Sequence, residues 1–498
     1  MADWIFILKL HSHMNVKHKI NSFAFRLIPL LYFLVLSSES IQAQDVTITI
    51  ILRGVYESKI SLLPLTGTDA LKPIIIIDSV KNEGTAVFKV PEERLPGEFV
   101  LRFDYKDKAS STPYPSEKRI IIGSQDLELW VHPVFSNYAD STWFQKEEKE
   151  NTAYLQFFRE NTRQKEMLGL LQNFLLKYDS PDSEFYKEGI AEYKKRREAF
   201  NDWIKEQIKK NKNLFVSNLF GFQLLPAIDW TGTEADRKQS LRDNYFEGMD
   251  FSDPLLVKTL TMKEWMDGYV NLYGEFATTV ALRDSLFTLA GKTAIGKVRK
   301  GNPLVYGWMV DYFFNGYESF NIAEGIKMLQ LYLDDPDCLT SKRQEINKRL
   351  KGIETLLPGT IAPNINMQDA DNKLFDLYGY TTGKNYMLLL FWSADCSHCE
   401  ETVGKLNSSY QDMEVKQALD IVAISVDETS DEIQKWENKI TELKGWTHLR
   451  AEEGLRSKAA NDYYILGVPV MILLDAKTKE IRALPDTIEQ LNKLLITK

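Results

Sequence analysis

The sequence predicts a multi-domain chain of three modules: an N-terminal all-β sandwich-like domain, an all-α middle domain and a C-terminal α/β domain in which strands alternate with crossover helices. Three observations carry this. Short strands punctuated by glycine and proline run to about residue 131, helical spacing takes over from about 137, and beyond Leu357-Pro358-Gly359 apolar runs alternate with helical segments. The expected boundaries are 1–43 for an export signal, 44–136 for the β-rich domain, 137–356 for the helical domain and 357–498 for the α/β domain.

The first 43 residues read as a signal peptide: a basic region with Lys17, His18, Lys19 and Arg26, an apolar core at 27–36 interrupted by Pro29, and Ser40-Ile41-Gln42-Ala43 as a cleavage site before Gln44. The lead before this core is long, so either Met1 or Met14 is the start. The core is shorter than the ~20 residues of a membrane-spanning helix, which favours cleavage over anchoring and a mature protein without a stable span. Export places the protein in the periplasm or cell envelope. The chain has a formal charge of −9, and the part after residue 43 carries −11. An acidic chain without a basic patch argues against nucleic acid as a partner. With three cysteines in all, the chain has too few for a disulfide-stapled scaffold.

In the β-rich domain strands are expected at 46–52, 74–80, 85–90, 99–103, 119–122 and 127–131, forming a small antiparallel sandwich or barrel. No titratable cluster falls within it, and its expected role is structural or in docking a partner. In the helical domain, Phe200, Trp203, Ile204 and Ile208 recur at helical spacing among charged residues, and further helical patterns cover 150–178, 255–292, 303–333 and 341–356. The dense aromatics here, Trp203, Trp265, Trp308, Tyr312 and Phe313 among them, are read as core rather than as a peptide or sugar groove. Asp334, Asp335 and Asp337 lack the glycine and downstream glutamate of a calcium loop and read as a solvated turn. Cys338 has no partner in sequence and reads as an inert thiol.

In the last domain an apolar run, 387–392, has the character of a buried central strand and ends at Trp392. The turn Ser393-Ala394-Asp395 follows, and then Cys396-Ser397-His398-Cys399. If Cys396 starts a helix, the two sulfurs lie one turn apart on one face, close enough for a disulfide. The free N–H groups of the helix start would favour a thiolate at Cys396, making it the attacking sulfur, with Cys399 deeper and resolving. Ser397 and His398 between them would support that state. The competing chemistry is a zinc half-site, but zinc needs a second pair, and Cys338, His132 and His448 are scattered singly. No metal is therefore expected.

These residues carry a resemblance. The lead-in Ala362-Pro363, the strand ending Phe391-Trp392, the Cys396–Cys399 box and Gly467-Val468-Pro469 before an apolar strand resemble the thioredoxin fold in its TlpA/ResA-like, peroxiredoxin-related branch of exported thiol–disulfide oxidoreductases. The resemblance implies that Pro469 is cis, so that the backbone of Val468 faces the dithiol and pairs with an extended substrate. It implies protein disulfides as substrates, a membrane thiol reductant upstream, and no cofactor beyond a redox-active Cys396–Cys399 disulfide.

The β-rich and helical domains resemble modules found upstream of such domains in envelope proteins. The chain departs from the pattern at Asp395, where tryptophan is usual, and at Leu390, where thioredoxin carries a buried acid; Glu401 is then the candidate for proton transfer. The expected function is an exported disulfide reductase. The alternatives are a peroxidase of the peroxiredoxin kind, for which Ser393 fits but Leu389 does not, and a binding or scaffold protein with a vestigial redox domain.

Overall fold

The computed structural model describes residues 45–496 apart from 137, 139 and 140, so the export signal expected at 1–43 lies outside the described residues. Eight strands form the N-terminal domain: β1 (Val46–Leu52), β2 (Glu57–Pro64), β3 (Ile75–Lys81), β4 (Thr85–Val90), β5 (Gly97–Lys106), β6 (Tyr114–Ile122), β7 (Leu127–Val131) and β8 (Thr142–Phe144). They make two four-stranded sheets, ordered β4-β1-β7-β8 and β3-β2-β5-β6. Alternate residues of β1 and β4 point inward, and Ile48, Ile50, Phe88, Leu101, Phe103 and Leu129 fill one shared core.

The structure corrects the sequence reading here in two ways. The sandwich is not wholly antiparallel: β1 runs parallel to β7, the chain crossing to the second sheet for β2 and β3, back for β4, across again for β5 and β6, and back for β7. A further strand, β8, lies in the stretch assigned to helix, where Trp143 and Phe144 pair with Trp130 and Leu129. Strand β2, absent from the expected strands, shows no simple alternation because Ser58 and Ser61 are buried along with Ile60, Leu62 and Leu63.

The middle of the chain is helical: α1 (Glu150–Lys177), α2 (Glu184–Lys210), α3 (Ser217–Phe220), α4 (Glu234–Asp243), α5 (Leu260–Gly274), α6 (Val280–Val298), α7 (Pro303–Ser319), α8 (Ala323–Leu333) and α9 (Arg343–Thr355). The long hairpin α1–α2 closes over α3 through rings: Phe157 stacks on Phe220 at 3.8 Å and on Trp203 at 5.0 Å. Tyr269, Tyr306, Met309, Phe313 and Tyr317 are buried in a second cluster built by α5–α9. The pattern at 303–333 breaks into two helices at Asn321, which takes a positive φ of 54°.

The aromatic residues are therefore mostly core, with Trp308 and Tyr312 half-buried at its margin. Asp335 accepts from the Asp337 N–H and pairs with Arg299, which accounts for that acidic turn. Cys338 is a buried free thiol.

The C-terminal domain contains the hairpin β9 (Asn366–Gln368) and β10 (Leu374–Asp376), then β11 (Tyr386–Trp392), α10 (Ser397–Tyr410), α11 (Met413–Ala418), β12 (Leu419–Ser425), α12 (Ser430–Ile440), β13 (Thr447–Arg450), α13 (Lys458–Asp462), β14 (Val470–Asp475), β15 (Ile481–Ala483) and α14 (Ile488–Ile496). The sheet order is β13-β12-β11-β14-β15; β11 is parallel to β12 and antiparallel to β14. Both faces of β11 are covered, which explains its unbroken apolar sequence. Met387, Leu389 and Phe391 enter one core, and Leu388, Leu390 and Trp392 join Cys399, Val403 and Leu406 in the other.

Helix α9 fastens this domain to the helical one. Lys348 Nζ donates to Asn461 Oδ1 and to the Ile465 carbonyl, both at 2.9 Å, and Asn321 bonds Asp486. No helix among the described residues is long and apolar enough to cross a membrane.

Candidate active site

The dithiol sits where β11 hands over to α10, at the carboxyl edge of the central strand. The chain turns there because a buried carboxylate holds it. Asp427, 1% exposed, accepts from Ser393 Oγ at 2.5 Å, from the Ala394 N–H at 3.0 Å and from Ser425 Oγ at 2.7 Å. Those bonds fix the turn between Trp392 and Cys396, so α10 starts in one place. The helix itself begins at Ser397, and Cys396 is its N-cap rather than its first residue: the Cys396 sulfur accepts from the Cys399 N–H at 3.1 Å.

The two sulfurs differ sharply in environment. Cys396 is half-buried with its sulfur 3.8 Å from the Val468 carbonyl, whereas Cys399 is 0% exposed among Leu388, Leu390, Trp392 and Val403. Both are free thiols in this structure. Burial pushes the Cys399 thiol well above the ordinary thiol range; its interaction with Cys396 and the Asp427 charge push it the same way, against a hydrogen bond from the Ser393 backbone. Cys399 is thus held as a thiol, and ionising it requires a group that takes its proton.

The other residues singled out from sequence are placed as follows. The Val468–Pro469 peptide is cis, and Val468 packs against the Cys396 side. Trp392 is buried beneath the turn, while Ser397 is exposed and His398 opens into a cleft with Thr402 and Val468. Asp395, which stands where the family usually has tryptophan and so brings a carboxylate near Cys396, is paired with Lys435, and its charge is compensated.

Glu401 is not brought to Cys399: it is exposed and ion-paired with Lys405 at 2.7 Å. The acid that does bear on Cys399 is Asp427, which the sequence reading missed. Its signal was present in Ser425-Val426-Asp427, two polar side chains just where the apolar run 421–424 beside the dithiol strand ends. Among the described residues no group of three His, Cys, Asp or Glu side chains is arranged to hold a metal.

Fold and site together define a thioredoxin-like domain. Residues 383–481 match the thioredoxin-like family model, so the match covers this domain and not the two before it. Solved structures similar to the chain include the thioredoxin domain of a thiol-disulfide oxidoreductase from Bacteroides vulgatus, 27% identical over 28% of this chain and 99% of that one, with a TM-score of 0.24. A thiol-disulfide oxidoreductase from Bacteroides fragilis is 24% identical over 28% of this chain and 100% of that one, with a TM-score of 0.24. A thioredoxin-like protein from Bacteroides caccae is 16% identical over 55% of this chain and 97% of that one, with a TM-score of 0.36. No curated protein matches the chain.

Proposed function

We propose that this protein is an exported thiol–disulfide oxidoreductase that reduces protein disulfides through the Cys396-Ser397-His398-Cys399 dithiol. The observation that carries the proposal is the pairing of a half-exposed Cys396 sulfur, which caps the helix by accepting from the Cys399 backbone N–H, with the fully buried Cys399 sulfur. The thiolate of Cys396 attacks one sulfur of a substrate disulfide; that bond breaks, and the departing sulfur leaves as a thiolate that takes a proton from water. Cys399 then gives up its proton, its sulfur attacks Cys396, and the second substrate sulfur leaves as the Cys396–Cys399 disulfide closes. Two electrons pass to the substrate, held by the cysteine pair itself, and a membrane thiol reductant restores the dithiol.

In this reading Asp427 takes the Cys399 proton, a role that Glu401, facing solvent, does not fill. Val468 holds the substrate backbone beside Cys396. The periplasm or cell envelope is the compartment this chemistry suits, since substrate disulfides form there. The peroxidase reading is less favoured because the Ser393 hydroxyl, which that chemistry would need at a reactive sulfur, donates to Asp427.

A single-turnover assay tests the proposal. Fully reduced protein mixed with insulin is expected to reduce one insulin disulfide per chain and to end with an internal Cys396–Cys399 disulfide identified by peptide mapping. Insulin left intact, with hydrogen peroxide consumed instead, would favour the peroxidase.

A further inference from the structure

The helical domain closes one side of the cleft into which His398, Thr402 and Val468 open. Its α7 and α9 supply Asn315, Ser319 and Arg349 to a hollow of about 660 Å³, with Lys342 beside them. Asn315, Ser319 and Lys342 also line a second hollow, of about 830 Å³, between α5, α7 and the loop after β2 at Thr66–Ala70. The two hollows therefore adjoin at these three side chains, one toward the cis-proline loop and the other along α7.

Its far end is aromatic. Trp308 and Tyr312 stack there at 5.5 Å, and the Tyr312 hydroxyl is already given to Asp267 at 2.7 Å; Phe287 and Phe320, 6.0 Å apart, line the nearer end beside Ser319, Phe320 being 53% exposed. Along the wall nearer the dithiol Arg349 is paired with Glu318 and Lys342 with Glu345, while Asp486 accepts from Asn321.

We propose that the groove formed by these adjoining hollows receives an extended substrate polypeptide, with its cysteine at Cys396 and an apolar or aromatic side chain in the Trp308–Tyr312 pocket. The inference rests on the dithiol reading above and deepens it. Continuity with the dithiol cleft decides the occupant, since a chain paired with Val468 and continuing past Ser319 arrives at Trp308. From Ser319 to Trp308 along α7 is ~16 Å at the helical rise, which an extended chain covers in about five residues. The groove has walls on both sides, so the bound segment is extended rather than part of a folded surface. The β-rich and helical domains then act in substrate selection.

Gly316 offers a clean test, because it lies in the groove between the shared residues and a side chain added there meets nothing within 4 Å. Full-length reduced protein is assayed in single turnover against symmetric disulfides of synthetic peptides carrying phenylalanine or glycine at successive positions from about five to about twelve residues from the cysteine, on either side, since the path from Cys396 to Ser319 adds to those five residues. Hydroxyethyl disulfide, too small to reach the pocket, serves as the control.

The wild type is expected to need at least about tenfold less of the phenylalanine peptide than of the glycine peptide for half-maximal rate, a difference of the size one buried apolar side chain makes. Gly316→Trp is expected to erase that preference and Gly316→Ala to keep it, both reducing hydroxyethyl disulfide at the wild-type rate. Equal use of the two peptides by the wild type, or an undiminished preference in Gly316→Trp, overturns the proposal. So does binding of anilinonaphthalene sulfonate that Gly316→Trp abolishes without any peptide preference, which assigns the pocket to a small apolar ligand. Failure of the wild type to reduce even hydroxyethyl disulfide removes the dithiol reading itself.

Discussion

Cys396→Ser is expected to abolish disulfide reduction, by at least roughly a thousandfold, because a hydroxyl neither ionises near neutral pH nor forms a disulfide. Cys399→Ser is expected to behave differently. Its Cys396 remains half-exposed at the start of α10, so it still attacks, but nothing displaces the substrate and the reaction stops at a mixed disulfide. Non-reducing electrophoresis after mixing with insulin separates the two: one trapped adduct per chain for Cys399→Ser, none for Cys396→Ser. Adducts of equal yield in both variants would show that the sulfurs are not divided into attacking and resolving roles.

Asp427→Asn should slow the second half-reaction by about a hundredfold near neutral pH, the lower end of what a positioned proton acceptor contributes. The buried Cys399 thiol is held above the ordinary range, and the carboxylate that bears on it is the acceptor the structure offers. Removing that charge makes the thiol easier to ionise but leaves the proton to go to solvent. The rate of the variant therefore rises with pH, and because burial still holds the thiol up, the gap to the wild type narrows only as pH passes above the ordinary thiol range. Ser393→Ala, which keeps the charge and removes one donor to it, should cost only a few-fold, on the order of one hydrogen bond. A rapid-mixing measurement of mixed-disulfide decay against pH checks this. A pH-independent loss in Asp427→Asn would mean that the residue only shapes the turn between Trp392 and Cys396.

What the sequence disclosed follows from how local each signal is. The run ending at Trp392 announced a strand covered on both faces, and two cysteines three apart announced one helix face; both depend on neighbours in the chain. The N-cap position of Cys396 could be guessed only to within a residue, since helix starts are set by turns such as the one Asp427 holds. Asp427 itself was not legible as part of the site because it reaches Ser393 across a strand pair, 34 residues away in sequence. Glu401 was attractive for the opposite reason: it is near in sequence, but its position on α10 faces solvent and Lys405. In the β-rich domain the parallel β1–β7 pairing is likewise a property of the whole chain path, invisible to alternation within either strand.

The central claim is that one sulfur is presented and the other is kept buried as a thiol. Alkylation of the reduced native protein by iodoacetamide, followed by peptide mapping, measures this directly. The account predicts modification of Cys396 alone, with Cys399 protected as pH rises to the ordinary thiol value and reacting only after denaturation. Equal modification of Cys396 and Cys399 in the native protein, or protection of Cys396, would contradict it.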